Sequence, residues 1–114
     1  MQPLDKPKIL IIDDEIDICN SLTFALEDAY TVASTIHPLE GLSLLIKDRF
    51  HVVLLDLKIG TVDGIDVLKE IKASDPAVEV IIMTAFGSIV SSVDAIKSGA
   101  YSYLTKPLDL NVLY

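Results

Sequence analysis

The sequence predicts an α/β domain built on a doubly wound, five-stranded parallel sheet, and three observations indicate it. Apolar runs begin near residues 8, 30, 52, 79 and 101, so a strand-like segment recurs about every 22 residues. Apolar residues at helical spacing follow the runs, which is typical of successive βα units. The run Val52–Asp56 lacks polar alternation, as expected of a strand buried on both faces. Right-handed crossovers then favour the flavodoxin-like strand order 2-1-3-4-5.

The first two units run from residue 8 to residue 46. Residues 8–13 form an apolar run that ends in a carboxylate, and residues 30–33 form a short second strand. Pro38 suits the first turn of a helix. The two helices are marked by apolar residues at helical spacing: Ile16, Cys19, Leu22 and Leu26 in the first, and Leu39, Leu42, Leu45 and Ile46 in the second.

The later units follow the same plan. A loop containing Gly60 and Gly64 leads from the third strand to a helix that stops before Pro76. Residues 79–83 are the fourth strand and residues 101–105 the fifth. Between them, Ser88 can cap a helix that Gly99 closes. The helical residues are Ile65, Leu68 and Ile71 in the third helix, and Ile89, Val93 and Ile96 in the fourth.

Size and composition bound the class of protein. A chain of 114 residues forms one domain. Its net charge of -8 opposes direct binding of nucleic acid by this domain. No signal peptide or membrane span is recognisable, so we expect a cytoplasmic protein with no membrane partner. The lone Cys19 allows neither an internal disulfide nor a cysteine-rich metal site. Residues 109–114 are too short for a stable fifth helix, so we expect residues 1–114 to be the N-terminal part of a longer protein.

Charged and polar residues follow the predicted strands where they end. Strands 1 and 3 are neighbours in the predicted order, so Asp13, Asp14 and Asp56 meet at one edge of the sheet. Three close carboxylates require raised pKa values or a bound cation, and Mg²⁺ suits such oxygen ligands. Strands 4 and 5 add Thr84 and Lys106 to the same edge. This set of groups suits phosphoryl transfer, which depends on positioning and charge neutralisation.

Five motifs together resemble the bacterial response regulator receiver domain. They cover nearly the whole chain in the family's order and spacing. Residues 83–107 are most similar to receivers that head enhancer-binding transcription activators. The motifs are Ile11-Ile12-Asp13-Asp14-Glu15, Leu54-Leu55-Asp56-Leu57-Lys58, Asp63-Gly64, Met83-Thr84-Ala85, and Tyr103-Leu104-Thr105-Lys106-Pro107.

The resemblance implies an acceptor and a metal site. Asp56 would accept a phosphoryl group from the phosphohistidine of a sensor histidine kinase. Asp14, Asp56 and the backbone carbonyl of Lys58 would bind Mg²⁺ directly. Asp13 would act mainly through water. The domain would then be a signalling domain and not an enzyme, with self-phosphorylation from small donors and slow self-dephosphorylation.

The resemblance also implies a switch. Lys106 would pair with a phosphoryl oxygen, and the Thr84 hydroxyl and the Ala85 amide would donate hydrogen bonds to the others. Tyr103 would turn inward once Thr84 moves, and the peptide bond before Pro107 would be cis. The expected partners are the kinase, an output domain beyond residue 114 that activates transcription, and a second copy docked through helix 4 and strand 5 or through the helix 5 face.

Three alternatives remain beside this interpretation. A flavodoxin-like cofactor binder needs a hydroxyl- and glycine-rich loop where this chain has Asp13-Asp14-Glu15. A phosphohydrolase needs a carboxylate two residues after Asp56, where Lys58 stands. A receiver that is not phosphorylated is disfavoured, because no expected acidic or basic position is lost. One departure from the family is Ile59-Gly60, where receivers commonly have Met-Pro.

Overall fold

The computed structural model of the protein describes residues 6–59, 62–85 and 89–106. Its strands are β1 (Lys8–Ile12), β2 (Thr31–Thr35), β3 (Val52–Asp56), β4 (Lys58–Ile59), β5 (Val62–Asp63), β6 (Glu79–Ala85) and β7 (Ser102–Lys106). Its helices are α1 (Ile16–Leu26), α2 (Pro38–Lys47), α3 (Gly64–Ser74) and α4 (Ile89–Lys97). None of the helices in these ranges has the length and apolar character needed to cross a membrane.

Five strands form one parallel sheet in the order β2-β1-β3-β6-β7. Numbered among themselves, these strands have the predicted order 2-1-3-4-5, so the predicted fold class is confirmed. Ile12 lies opposite Leu55, and Asp56 lies opposite Met83. The carboxyl ends of β1, β3 and β6 therefore reach one edge of the sheet.

Side chains on the two faces of the sheet enter two separate layers of the core. Leu10, Val53 and Leu55 point to the layer covered by α2, α3 and α4. Ile9, Ile11 and Leu54 point to the layer covered by α1, which contributes Cys19, Leu22 and Leu26. Alternate residues of a strand face opposite sides. Because both sides are covered by helices, apolar residues occur without interruption in the central strands, as the sequence indicates.

The apolar residues that predict the helices do not all face the sheet. Ala95 is the buried residue of the second half of α4, and Leu45 is buried in α2. A helix packed on a sheet buries only a stripe of its surface, so apolar residues outside this stripe remain in solvent. The exposed residues are Ile16 of α1, Leu39 and Ile46 of α2, and Val93 and Ile96 of α4.

The boundaries differ from prediction in three places. The predicted loop after β3 contains a two-stranded antiparallel hairpin of β4 and β5, and Gly64 is the first residue of α3. Strand β2 starts and ends later than predicted, and β6 continues through Ala85, so Thr84 lies within the strand. Gly99 adopts a φ of 111° after α4, as predicted for a residue that closes a helix. Gly60, Ser88, Pro107 and the truncated fifth-helix segment at residues 109–114 lie outside the described residues.

Gly64 allows α3 to begin directly against the strand that carries Asp56. Its amide donates a hydrogen bond of 2.7 Å to the Leu57 carbonyl. A Cβ at this position would lie 2.5 Å from the Leu57 oxygen and 2.7 Å from the Asp56 oxygen. Both are backbone atoms, so the contact cannot be relieved by a rotamer change. Glycine is therefore needed where α3 meets the end of β3.

We expect Gly64→Ala to lower the free energy of unfolding by about 1–3 kcal/mol, the usual range for overpacking. Urea denaturation measures this change. Gly41→Ala in α2 is the matched comparison, because the added Cβ there meets only side-chain atoms of Ile12 and Thr35. The nearest of these atoms, Cγ1 and Cδ1 of Ile12, belong to a side chain, which can adjust where a backbone carbonyl cannot, and alanine favours the helix interior. A Gly64→Ala protein as stable as the Gly41→Ala protein would contradict this explanation.

Candidate functional site

The predicted site residues meet at the carboxyl edge of the sheet. Asp13 follows β1 directly, Asp56 is the last residue of β3, and Lys106 is the last residue of β7. The Asp13 amide donates a hydrogen bond of 3.2 Å to the carbonyl of Thr35, so this residue is fixed at the end of the sheet. Thr84 lies beside them in β6 and is 2% exposed. Parallel strands thus bring together residues that are distant in sequence.

Lys106 is the centre of the ionic contacts. Its Nζ lies 2.9 Å from Asp13 Oδ2, 3.3 Å from Asp56 Oδ2 and 3.6 Å from Glu15 Oε1. The contact with Asp56 is also a hydrogen bond that Lys106 donates. The Asp13 and Asp56 side chains are 0% and 9% exposed, whereas that of Glu15 is 60% exposed. One cation therefore contacts two buried carboxylates and one carboxylate at the rim of the site.

Backbone amides orient both buried carboxylates. The Lys58 amide donates to Asp56 Oδ1 at 3.3 Å, and the Glu15 amide donates to Asp13 Oδ1 at 2.9 Å. Asp13 Oδ2 has no hydrogen-bond partner of good geometry, although the ammonium of Lys106 is close enough to form an ion pair. This oxygen can therefore still accept a hydrogen bond.

The surroundings of Asp56 change its affinity for a proton. Burial, reinforced by the negative charge of Asp13, raises the pKa of Asp56 from 3.8 to about 6. The charge of Lys106 and the amide of Lys58 oppose this rise. Burial by itself would lower the pKa of Lys106, but its close contact with Asp13 and the nearby carboxylates outweigh burial and raise it. The lysine therefore stays charged and the site remains acidic.

The acidic residues after β1 fit a small divalent cation. Asp13, Asp14 and Glu15 each offer a carboxylate oxygen within 4.8 Å of the others. Asp13 in addition presents the buried Oδ2 that lacks a hydrogen-bond partner. Such an oxygen-rich site, partly open to solvent, suits Mg²⁺, which keeps several waters and takes one or two carboxylates.

The remaining predicted residues occupy different positions around the site. Tyr103 in β7 is 47% exposed, so it lies outward in this structure. Ala85 lies opposite Lys106 in the β6–β7 register, which brings its backbone to the edge of the sheet. Cys19 is fully buried beside the Asp13 carbonyl at 3.4 Å, and burial raises the pKa of its thiol. It serves as a small core residue, as predicted.

Glu15 is the site residue that sequence reasoning did not single out. It belongs to the motif Asp13-Asp14-Glu15, but only the structure shows its contact with Lys106. His51 lies at the opposite end of β3, where its Nδ1 accepts a hydrogen bond of 3.0 Å from the Lys8 amide. This histidine is therefore remote from the acidic edge.

A carboxylate held between a cation and an acidic cluster is an arrangement that suits the acceptance of a phosphoryl group. This places the chain among phosphoacceptor signalling domains. The family model of the response regulator receiver domain matches residues 9–114. The chain belongs to this family, as the sequence motifs predict. The family is a signalling family rather than a class of enzyme, and its members typically bind Mg²⁺ at the acidic cluster.

Relatives and solved structures agree with this assignment. The chain is 42% identical over 106 residues to the transcriptional regulatory protein ZraR of Klebsiella oxytoca, covering 92% of this chain and 24% of ZraR. It is 39% identical over 101 residues to the alginate biosynthesis transcriptional regulatory protein AlgB of Pseudomonas putida, covering 88% of this chain and 22% of AlgB. The chain thus spans about a quarter of their length. These relatives confirm the predicted similarity to receivers of enhancer-binding activators.

A solved structure of a response regulator from Burkholderia pseudomallei, which contains a phosphorylated aspartic acid, a calcium ion and citrate, shares the fold. Its TM-score is 0.88 at 28% identity, over 95% of this chain and 64% of that one.

Proposed function

We propose that Asp56 is the phosphoacceptor of this receiver and takes its phosphoryl group from the phosphohistidine of a sensor histidine kinase. The observation that carries the proposal is the contact of Lys106 Nζ with both Asp56, at 3.3 Å, and Asp13, at 2.9 Å. The contact places the acceptor carboxylate, a cation and an acidic cluster in one small volume. Phosphoryl transfer depends mainly on such positioning and charge neutralisation.

In the transfer, an oxygen of Asp56 forms a bond to phosphorus while the bond from phosphorus to the donor nitrogen breaks. The donor nitrogen keeps the electron pair of that bond and takes up a proton. Lys106 holds one carboxylate oxygen of Asp56 and is close enough to neutralise a phosphoryl oxygen. The Lys58 amide holds the other carboxylate oxygen, so the acceptor has a fixed orientation.

Mg²⁺ would be held by Asp14, Asp56 and the Lys58 carbonyl, with Asp13 acting through water. Bound there, the ion would neutralise the negative charge of the carboxylates and of the incoming phosphoryl group. The support on this chain is the close set of acidic oxygens and the buried Oδ2 of Asp13. Without such a cation, the raised pKa of Asp56 leaves this carboxyl partly protonated near neutral pH.

Phosphorylation would shift the domain between two conformations. The Thr84 hydroxyl and the Ala85 amide would donate hydrogen bonds to the phosphoryl group, and Tyr103 would then turn inward. Two observations support this: Thr84 is buried next to the acceptor strand, and Tyr103 is half exposed on the neighbouring strand. A phosphoryl group shifts the equilibrium only if it binds one conformation better, and the Thr84 contact supplies that difference.

The output of the switch would be control of transcription through a domain beyond residue 114. The relatives named above are transcriptional regulatory proteins of which this chain spans about a quarter. The acidic receiver itself would not contact nucleic acid, since its net charge is -8. A homodimer through the face of α4 and β7, or through the sheet face that a fifth helix would cover, belongs to the same proposal.

Phosphopeptide mapping tests the central claim. The protein is incubated with a small phosphodonor and Mg²⁺, and its intact mass should rise by one phosphoryl group that maps to the peptide containing Asp56. Asp56→Asn should remain unmodified, while Asp63→Asn, an exposed acid seven residues on, should be modified like the natural protein. Modification of the Asp56→Asn protein would disprove the assignment.

We expect one weak Mg²⁺ site, and we expect Asp14→Ala to abolish it. Asp14 is an exposed member of the acidic cluster, so its removal takes a ligand from the ion without opening the core. Calorimetric titration without phosphodonor measures the binding. Asp17→Ala, an exposed acid in the first turn of α1, is the control and should bind Mg²⁺ like the natural protein. Unchanged binding in Asp14→Ala would place the ion elsewhere.

A further inference from the structure

Glu15 lies at the rim of the site, and its contacts are not those of an ordinary helix cap. It occupies the N-cap position of α1, yet its side chain accepts no capping hydrogen bond. Its amide is fixed by the hydrogen bond to Asp13 Oδ1. Its carboxylate instead lies 3.6 Å from the ammonium of Lys106. The side chain is thus directed to the cation of the site.

Glu15 also differs from the other two carboxylates around Lys106 in its exposure. Asp13 and Asp56 are buried, whereas the Glu15 side chain is 60% exposed. A molecule that approaches from solvent therefore meets the negative charge of Glu15 next to the positive charge of Lys106. Phosphodonors are anions, and a charge at the mouth of a site changes the local concentration of charged ligands.

We propose that the negative charge of Glu15, which lies beside Lys106 at the mouth of the site, disfavours small, free, anionic phosphodonors. The proposal rests on the function proposed above, with Asp56 as acceptor. A kinase is held by contacts over a protein surface, so its phosphohistidine reaches Asp56 without depending on attraction at the mouth of the site. A small free donor has no such contacts. Glu15 thereby favours the docked protein donor.

The experiment compares Glu15→Gln with the natural protein, using acetyl phosphate as the donor at saturating Mg²⁺. We expect the donor concentration for half-maximal rate to fall about two- to fivefold, the range that an exposed charge contributes. The maximal rate should stay within about twofold, because Glu15 does not touch the acceptor. This difference in half-maximal donor concentration between the two proteins should become smaller as salt is added, since exposed charges are screened. Phosphoramidate, a less highly charged donor, should show a smaller gain.

Three further variants isolate the local charge. Glu15→Asp keeps the charge and should behave like the natural protein. Glu15→Ser removes the charge with a shorter side chain and should reproduce the gain of Glu15→Gln. Glu79→Gln changes the net charge equally, but Glu79 begins β6 at the opposite end of the sheet. This variant should leave the donor dependence unchanged.

Several outcomes would overturn the proposal. They are an unchanged donor dependence in Glu15→Gln, an equal gain in Glu79→Gln, and a changed maximal rate with an unchanged half-maximal concentration. Titration of Glu15→Gln with Mg²⁺ in the absence of donor should show that the Mg²⁺ concentration used in the rate assay still saturates the metal site. If the proposed phosphoacceptor function itself is wrong, the result is different: the natural protein carries no phosphoryl group on Asp56.

Discussion

The Asp56→Asn protein is expected to have a free energy of unfolding about 3 kcal/mol higher than the natural protein at about pH 8 without divalent cations. Burial and the charge of Asp13 raise the pKa of Asp56 from 3.8 to about 6. The charged carboxylate is therefore less favourable in the folded protein than in the unfolded chain. Each pKa unit of this difference corresponds to about 1.4 kcal/mol, and asparagine has no charge to bury.

The dependence on pH distinguishes this effect from better packing. The folded pKa lies above the unfolded one, so the contribution of Asp56 to stability is fully present below about pH 4 and is lost as the pH rises through about 6. Urea denaturation at several pH values should therefore show the two proteins converging at low pH. Asp66→Asn, an exposed acid in the first turn of α3, is the control. A difference that is constant with pH would contradict the explanation.

Replacing Lys106 with methionine is expected to act in the opposite direction and lower the free energy of unfolding by about 3 kcal/mol near neutral pH. Asp13 Oδ2 is buried and would lose the cation 2.9 Å away, while Asp56 would lose its partner at 3.3 Å. Removing one member of a buried ion pair leaves an uncompensated charge, which costs more than the pair contributed. The raised pKa of Lys106 agrees, since it shows that the site favours the charged amine.

Lys97→Met serves as the control, because Lys97 is exposed in the last turn of α4. Lys106 lowers the pKa of Asp56, so this pKa should be higher in Lys106→Met than the value of about 6 in the natural protein. The deficit of Lys106→Met should therefore narrow as the pH falls from alkaline values toward about 6. The double variant Asp56→Asn with Lys106→Met should be more stable than the sum of the two single effects predicts, because Lys106 costs less to remove once Asp56 is neutral. Additive effects in this cycle would show that the 3.3 Å contact carries no free energy.

The sheet and most of the site could be predicted because they follow from a few strong patterns. Uninterrupted apolar runs identify the buried strands, and the rules of parallel sheets then bring their carboxyl ends to one edge. The positions of Asp13, Asp56 and Lys106 depend only on these patterns. The roles assigned to individual site residues remain predictions that the experiments above test.

Two kinds of detail could not be predicted in the same way. The apolar residues of α2 lie on more than one side of the helix, and periodicity does not tell which side the sheet covers. Leu45 is buried, while Leu39 and Ile46 are not. Likewise, Glu15 contacts Lys106 only because the lysine of β7 reaches β1 across two intervening strands. Such a contact depends on side-chain length and strand spacing, which sequence patterns do not record.

The central position of β3 has a consequence for how the domain opens. This strand is paired on both sides, with β1 and β6, whereas β7 has one neighbour among the described residues. Amide hydrogens of β3 should therefore exchange with solvent only when the whole domain unfolds, while those of β7 should exchange through local opening. Asp56 thus stands on the most protected segment and Lys106 on a segment that opens more readily. If Asp56 is phosphorylated as proposed, we expect the strand of Lys106 to adjust to the added group while β3 stays in place.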